Sequence, residues 1–206
     1  RGDFLFTLDS ENGLNTTEMV GGVTNAVVGI GPNGEATLQN GNGAFILTDA
    51  GFVLGFDGDL SLNLPDISAS GAFGAEINTT SESINRSVMV AEEQINLDFA
   101  AGPFFGISAE GGTLNVGEQE LTGDFVIQSR ANGDLIIAVD DATTTITDGT
   151  TDYLQIDDAV GAIISTAEGA AFEISGSLSI LLPNLSASGN FRVLVNSLKT
   201  SVNETI

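Results

Sequence analysis

Gly58–Phe73 reads GDLSLNLPDISASGAF, and Gly176–Phe191 reads GSLSILLPNLSASGNF. The match runs without a gap over Gly43–Val88 and Gly161–Ile206 at a shift of 118 (43 to 161), and 18 of those 46 positions are identical. Pro65 falls on Pro183, Gly71 on Gly189, Phe73 on Phe191, Asn78 on Asn196 and Asn85 on Asn203. An internal repeat has to be read before any other pattern, since it decides what a unit of the fold is. It also gives a check: a site that matters to the unit should survive in both copies.

Inside the repeat, apolar and polar residues alternate, and a period of two marks a half-buried strand. Leu60–Leu64 has it, as do Phe4–Leu8, Ile95–Phe99 and Leu154–Ile156. Phe125–Ile127, Leu135–Val139 and Phe191–Val195 are more continuous and read as strands buried on both faces. The runs are rich in Val, Ile, Phe and Thr, which favour pleated backbone. Between them stand Asn12-Gly13, Asn33-Gly34, Asp57-Gly58, Asn132-Gly133 and Asp148-Gly149, residues suited to turns with positive φ. Pro65-Asp66 and Pro183-Asn184 break strands at matched places. Gly117–Gly123 reads as a turn leading into a strand. Ser83–Gln94 is the best helical candidate; its copy, Ser201–Ile206, reads as strand or loop.

The expected fold is all-β and mainly antiparallel. Gly2–Phe6 resembles Gly123–Ile127 at a shift of 121 (2 to 123), so one unit is about 120 residues. That places unit 1 at residues 1–122 and an incomplete unit 2 at 123–206. Met89–Thr122 has no partner within the chain. No Pro- or Ser-rich linker lies near the boundary, which favours units packed continuously into an elongated stacked or solenoid-like sheet over two β-sandwich beads.

Composition narrows the chemistry. The 206 residues include no Cys, no His, no Trp and one Tyr, Tyr153. Imidazole bases, thiolate nucleophiles and His/Cys zinc sites are thereby excluded. Lys199 is the only Lys, and the matched position is Ser81. This argues against both a Ser–Lys nucleophile and an isopeptide crosslink as properties of the unit. The net charge of −23 repels nucleic acid and anionic lipid. No run is long enough for a membrane-spanning helix. Apolar residues make up 42% of the chain in evenly spaced runs, unlike a disordered segment. The start at Arg1 reads as a processed product or a stretch of something longer.

Several segments together resemble a repeat of giant bacterial adhesin-like surface proteins, including the LEPR-XLL type. They are Leu97–Phe105 (LDFAAGPFF), Gly111–Phe125 (GGTLNVGEQELTGDF), Gly43–Gly51 with Gly161–Gly169, and Ser68–Phe73 with Ser186–Phe191. Asn78-Thr79-Thr80 and Val202–Thr205 fit the same pattern, whereas Ser10–Gln39 matches it poorly. The resemblance implies an extracellular or cell-surface structural module, with neighbouring repeats or identical subunits as end-to-end partners, and no catalytic residues.

Calcium is the most plausible ligand, because carboxylates and carbonyls in loops are its donors. Asp148, Asp152, Asp157 and Asp158 are the candidate ligands; a solvated acidic face is the plainer reading. Asp57 and Asp59 become Ser175 and Ser177 in the copy, so that pair does not define the unit. A calcium-dependent adhesin domain with a host or glycan ligand is one alternative function, and a filament subunit joined by strand complementation is another. Carboxylate pairs of the glycosidase type are expected by chance among 28 acids. Arg1-Gly2-Asp3 spells an integrin-type tripeptide, but its Gly-Asp-Phe recurs at Gly123–Phe125 for reasons of the repeat. Asn15, Asn78, Asn85, Asn184 and Asn203 head glycosylation sequons. Phe45, Phe52, Phe56, Phe73, Phe99, Phe104, Phe105, Phe172 and Phe191 read as core.

Overall fold

The structure, a computed structural model, describes residues 1–10, 17–30, 35–182 and 184–202. The regular structure among them is entirely strand. In chain order the strands are β1 (Asp3–Ser10), β2 (Thr17–Ile30), β3 (Ala36–Thr48), β4 (Gly51–Leu64), β5 (Ile67–Asn78), β6 (Ile84–Val90) and β7 (Glu93–Phe99). They continue as β8 (Phe104–Val116), β9 (Gln119–Ser129), β10 (Leu135–Thr147), β11 (Asp152–Thr166), β12 (Gly169–Ile180) and β13 (Ala187–Asn196). Eleven strands form one sheet in the order β1-β2-β3-β4-β5-β8-β9-β10-β11-β12-β13, and β6 pairs with β7 in a separate hairpin. The all-β, mainly antiparallel expectation holds. Among the described residues no helix is long and apolar enough to cross a membrane.

The alternating runs land where expected, and so do several turns. Gly117 (φ 60°), Gly133 (φ 86°), Gly149 (φ 83°) and Asp66 (φ 62°) take the left-handed conformation between strands. Asn184 (φ 68°) matches Asp66 across the repeat. Asn12-Gly13, Asn33-Gly34 and Pro183 lie outside the described residues, as do Asn15 and Asn203.

Three readings are corrected. Ser83–Gln94 is not helical: its residues build most of the β6–β7 hairpin, turning at Ala91 (φ 53°). The apolar period there is two, since Val88, Val90, Leu97 and Phe99 are the buried members and the residues between them are exposed or half-buried. Asp57-Gly58 is not a turn but mid-strand in β4; Gly58 is buried where its missing Cβ lets Gly41 approach. The continuous runs are not buried on both faces. Val126 and Ile127 are exposed, Ile136 alone of Leu135–Val139 is buried, and Leu194 in β13 is 61% exposed.

Several strands are interrupted by Asn or Asp at positive φ: Asn25 in β2, Asn40 in β3, Asp141 in β10 and Asp158 in β11. The pairing registers slip at all four, between Val23 and Ala26, Leu38 and Gly41, Val139 and Ala142, and Asp157 and Val160. Asn and Asp tolerate this conformation better than other side chains, which is why bulges fall on them. Asn40 and Asp158 are repeat equivalents.

The chain divides into two compact units, Arg1–Ser61 with Ala72–Ile107, and Leu62–Gly71 with Ser108–Ile206. The boundary read at residue 122 falls inside β9. In the first unit the core is Ala44, Ile46 and Val53 from the sheet against Val88, Val90, Leu97 and Phe99 from the hairpin. Of the nine Phe residues read as core, Phe99 alone is fully buried. Others meet edge to face or tilted, as Phe45 does with Phe6 and Phe52, and Phe99 with Phe104.

Candidate functional site

The end of β5 in the first unit carries a joint built from Asn78, Thr79 and Thr80. Thr79 Oγ1 accepts from Phe52 N at 2.7 Å and donates to Phe52 O at 3.1 Å, while Thr79 N donates to the same carbonyl at 2.9 Å. A side chain thus extends the β4–β5 ladder by one rung. Asn78 is fully buried. Its amide donates to Glu82 O at 2.9 Å and Ala100 O at 2.8 Å, and its Oδ1 accepts from Thr80 N at 2.9 Å and Thr80 Oγ1 at 2.7 Å. Glu82 precedes β6 and Ala100 follows β7, so one amide fastens both feet of the hairpin.

The second unit repeats part of this joint, with Ser197 in place of Thr79 and the same Asn at position 196. Ser197 Oγ accepts from Ala170 N at 2.9 Å and donates to Ala170 O at 2.8 Å, and Ser197 N donates to that carbonyl at 2.9 Å. Asn196 donates to Thr200 O at 3.0 Å and accepts from Leu198 N at 2.8 Å. Upstream, Thr48 and Thr166 make the same pair of bonds across the β3–β4 and β11–β12 turns. Gly51 and Gly169 share φ values of 144° and 146°, and a Cβ on either would stand 2.7 or 2.8 Å from the Thr79 or Ser197 hydroxyl. That accounts for the identity of this glycine in both copies. Two differences separate the joints: Asn196 is exposed where Asn78 is buried, and Asn196 has no counterpart of the bonds that Asn78 makes with Ala100 O and the Thr80 hydroxyl.

On the first unit the joint secures a hairpin whose buried side chains seat on small residues of the sheet. A Cβ on Gly22 would stand 2.5 Å from Val90 Cγ2, and one on Gly55 2.8 Å from Leu97 Cδ2 and 2.9 Å from Phe99 Cζ. Arg86 reinforces the contact with a forked ion pair to Glu18 at 2.7 and 3.2 Å, and Asn25 donates to Glu93 at 3.1 Å. The apolar face matters most, since full burial of each Val, Leu or Phe contributes about 1.5–3 kcal/mol and an exposed ion pair about 0–1 kcal/mol.

The second unit bears a groove of about 740 Å³ across β8 to β13. Its floor includes Ala162, Ile164 and Ala171, the repeat equivalents of Ala44, Ile46 and Val53. Its walls expose Val126 (37%), Val160 (50%) and Leu194 (61%). Glu110, Asp124, Asp140 and Glu173 give it an acidic rim. Glu173 pairs with Arg192 at 2.6 Å.

The four Asp residues read as calcium ligands divide into two places. Asp148 lies in the β10–β11 turn, where its Oδ1 accepts from Thr150 N at 3.0 Å and Thr151 N at 2.8 Å and its Oδ2 from the Tyr153 hydroxyl. The Tyr153 hydrogen bond first, then the two backbone donors, hold its carboxyl below the ordinary range, and the same bond pushes the Tyr153 phenol up. Asp152, at the start of β11, shares a shallow recess with Glu118 and Glu120. Asp157 and Asp158 sit at the β11 bulge, roughly 17 Å further along at 3.3 Å per residue. Asp157 accepts from Gln155 at 2.8 Å. Among the described residues no group of three or more acidic side chains is placed to hold a metal ion. Elsewhere, burial raises the Glu76 carboxyl above its ordinary value.

Sequence reasoning missed the role of the joint. Its signal is the identity of Asn78 with Asn196, but the triplet at Asn78 also spells a glycosylation sequon. With Asn78 fully buried and both amide hydrogens donated, that reading does not fit the folded chain. No family model, curated protein or solved structure matches the chain.

Proposed function

We propose that this chain is a structural tandem-repeat module of a giant extracellular surface protein or fibre, supplying length, stiffness and cohesion between successive units. The observation that carries the reading is the recurrence of the joint: Thr79 and Ser197 make the same three bonds to Phe52 and Ala170, and Asn78 and Asn196 share one donated and one accepted bond at matched places. What is kept between the copies is architecture, whereas acidic residues such as Asp57 and Asp59 are not. The sequence's likeness to adhesin-like surface repeats points the same way. So does the composition, which lacks Cys and His and leaves little for a reaction to use. The partner is then the next unit, end to end, and the charge of −23 keeps neighbouring assemblies from sticking sideways.

Head-to-tail concatemers of one, two and three copies of the whole chain test the reading. In a stacked array, stability is a sum of unit terms and nearest-neighbour terms, so the melting temperature should climb with copy number and then level off. Each kcal/mol of interface raises it by about 2–4 °C in chains of this size. Identical melting of all three, with copies unfolding independently, would refute cohesion between units. A large shift on adding calcium or EDTA would favour the adhesin alternative instead.

A further inference from the structure

The two units carry the same floor, covered in the first and covered only in part in the second, where Ile164 and Ala171 are buried but Ala162 is half-buried. Leu5 pairs with Gly22 and Gly22 with Ala44 across β1, β2 and β3. Val126 pairs with Ala138 and Ala138 with Ala162 across β9, β10 and β11. Since Ala44 and Ala162 are repeat equivalents, these two rows correspond residue by residue. In the first unit the row lies under β6–β7, and Ala44 is 2% exposed. In the second, Ala162 is half-buried where Ala44 is buried, and Val126 is exposed at the groove where Leu5 is half-buried.

We propose that the groove of the second unit is the seat of a two-stranded β-hairpin of the β6–β7 pattern, with alternate apolar residues turned toward Ala162 and Ile164. Three observations converge on this occupant. The floor is the one that such a hairpin covers in the first unit. The joint that fastens the hairpin's feet is rebuilt beside the groove by Asn196, Ser197 and Thr200. And Asn196 stands exposed there, whereas its counterpart is buried by the segment following β7. The seat also sets the occupant's chemistry. Gly55, which admits Leu97 and Phe99, is replaced by Glu173, so a hairpin native to this groove carries a smaller or cationic residue in that place. Glu173 and its acidic neighbours select for positive charge on the strand that crosses them.

The seating rests on the packing inside the first unit and does not depend on the scaffold role, so either can fail alone. The test appends Met89–Phe99 directly after Ile206 of the whole chain. By the repeat, Val202–Ile206 corresponds in sequence to Ile84–Val88, so the appended chain has the whole hairpin sequence. Hydrogen exchange across β9–β11 and thermal melting are read with Glu173 intact and in Glu173→Gly, which restores the Gly55 arrangement. Glu173→Gly without the appendage controls for loss of the Arg192 pair. Seating slows exchange at Ile136, Ala162 and Ile164 at least tenfold, and more in Glu173→Gly than with Glu173. A second appended version carries Asp at the positions copied from Leu97 and Phe99 and gives no protection. Equal exchange with apolar and Asp-bearing appendages overturns the proposal. So does a dimer of the unextended chain that already protects these amides, because a second copy would then be the occupant.

Discussion

Asn78→Ala isolates the joint from everything else in the first unit. The side chain is fully buried and makes four hydrogen bonds within the joint, two given and two accepted. Truncation leaves Glu82 O, Ala100 O and Thr80 N without it. The Thr80 hydroxyl, released from Asn78 Oδ1, lies 3.1 Å from Glu82 O and turns its one hydrogen to it, so that carbonyl keeps a partner. Thr80 N is buried and remains unsatisfied at about 1–3 kcal/mol, whereas Ala100 is exposed and its carbonyl can turn to water. A loss of about 2 kcal/mol follows. At 1.4 kcal/mol per tenfold this raises the hairpin's opening equilibrium by roughly thirtyfold. Asn196→Ala removes the equivalent bonds from an exposed site, where water replaces them, and should cost under about 1 kcal/mol. Hydrogen exchange read by mass spectrometry on peptides covering 84–99 and 187–200 separates the two effects within one chain. Equal acceleration in both variants, or none at 84–99 in Asn78→Ala, would show that burial does not set the worth of this amide.

Gly55→Ala pushes a methyl against Leu97 and Phe99 and should destabilise the hairpin by about 1–3 kcal/mol, seen as faster exchange of β6 and β7 with β10–β12 unchanged. Thr24 is 1% exposed and its hydroxyl has no partner, so Thr24→Val should leave stability unchanged or raise it by about 1 kcal/mol in urea titration; a loss would mean the hydroxyl is bonded after all. Tyr153 is the only Tyr, so its ionisation can be followed directly by ultraviolet absorbance. It should titrate above 10.0 and return toward that value in Asp148→Ala. The linkage has opposite signs at the two ends of this bond. The Tyr153 contribution is present below pH 10.0 and is lost as pH rises through the raised value. The Asp148 contribution is present above its ordinary 3.8 and is lost as pH falls through the lowered one. An unshifted Tyr153 titration would remove the bond from the account.

Strands and most turns were legible because their causes are local. Alternation in Leu60–Leu64 and the left-handed preference of Gly133 and Gly149 act over a few residues. The hairpin Ile84–Phe99 was harder, since Glu92, Glu93 and Gln94 at its bend are good helix formers and its buried positions are revealed only by the floor they meet. Asp57-Gly58 misled for a similar reason: the glycine serves close approach of β3 to β4, not a change of direction. The joint was half legible. Identity of Asn78 with Asn196 marked the place, but Thr79 against Ser197 hid the shared chemistry, which lies in a hydroxyl common to both. The groove was beyond the sequence, because Val126, Ala162 and Leu194 reach one surface through the pairing of β9 to β13.

The order of the sheet has a consequence for how the chain is made. Every strand in it except β8 pairs with the one just before it in sequence. Closing each successive loop is therefore an inexpensive short-range step, and the ladder lengthens at its growing end without waiting for distant segments. β8 pairs with β5 across the inserted hairpin, so this is the one rung whose closure spans a longer loop, and the Asn78 bond to Ala100 O can form only once that loop is complete.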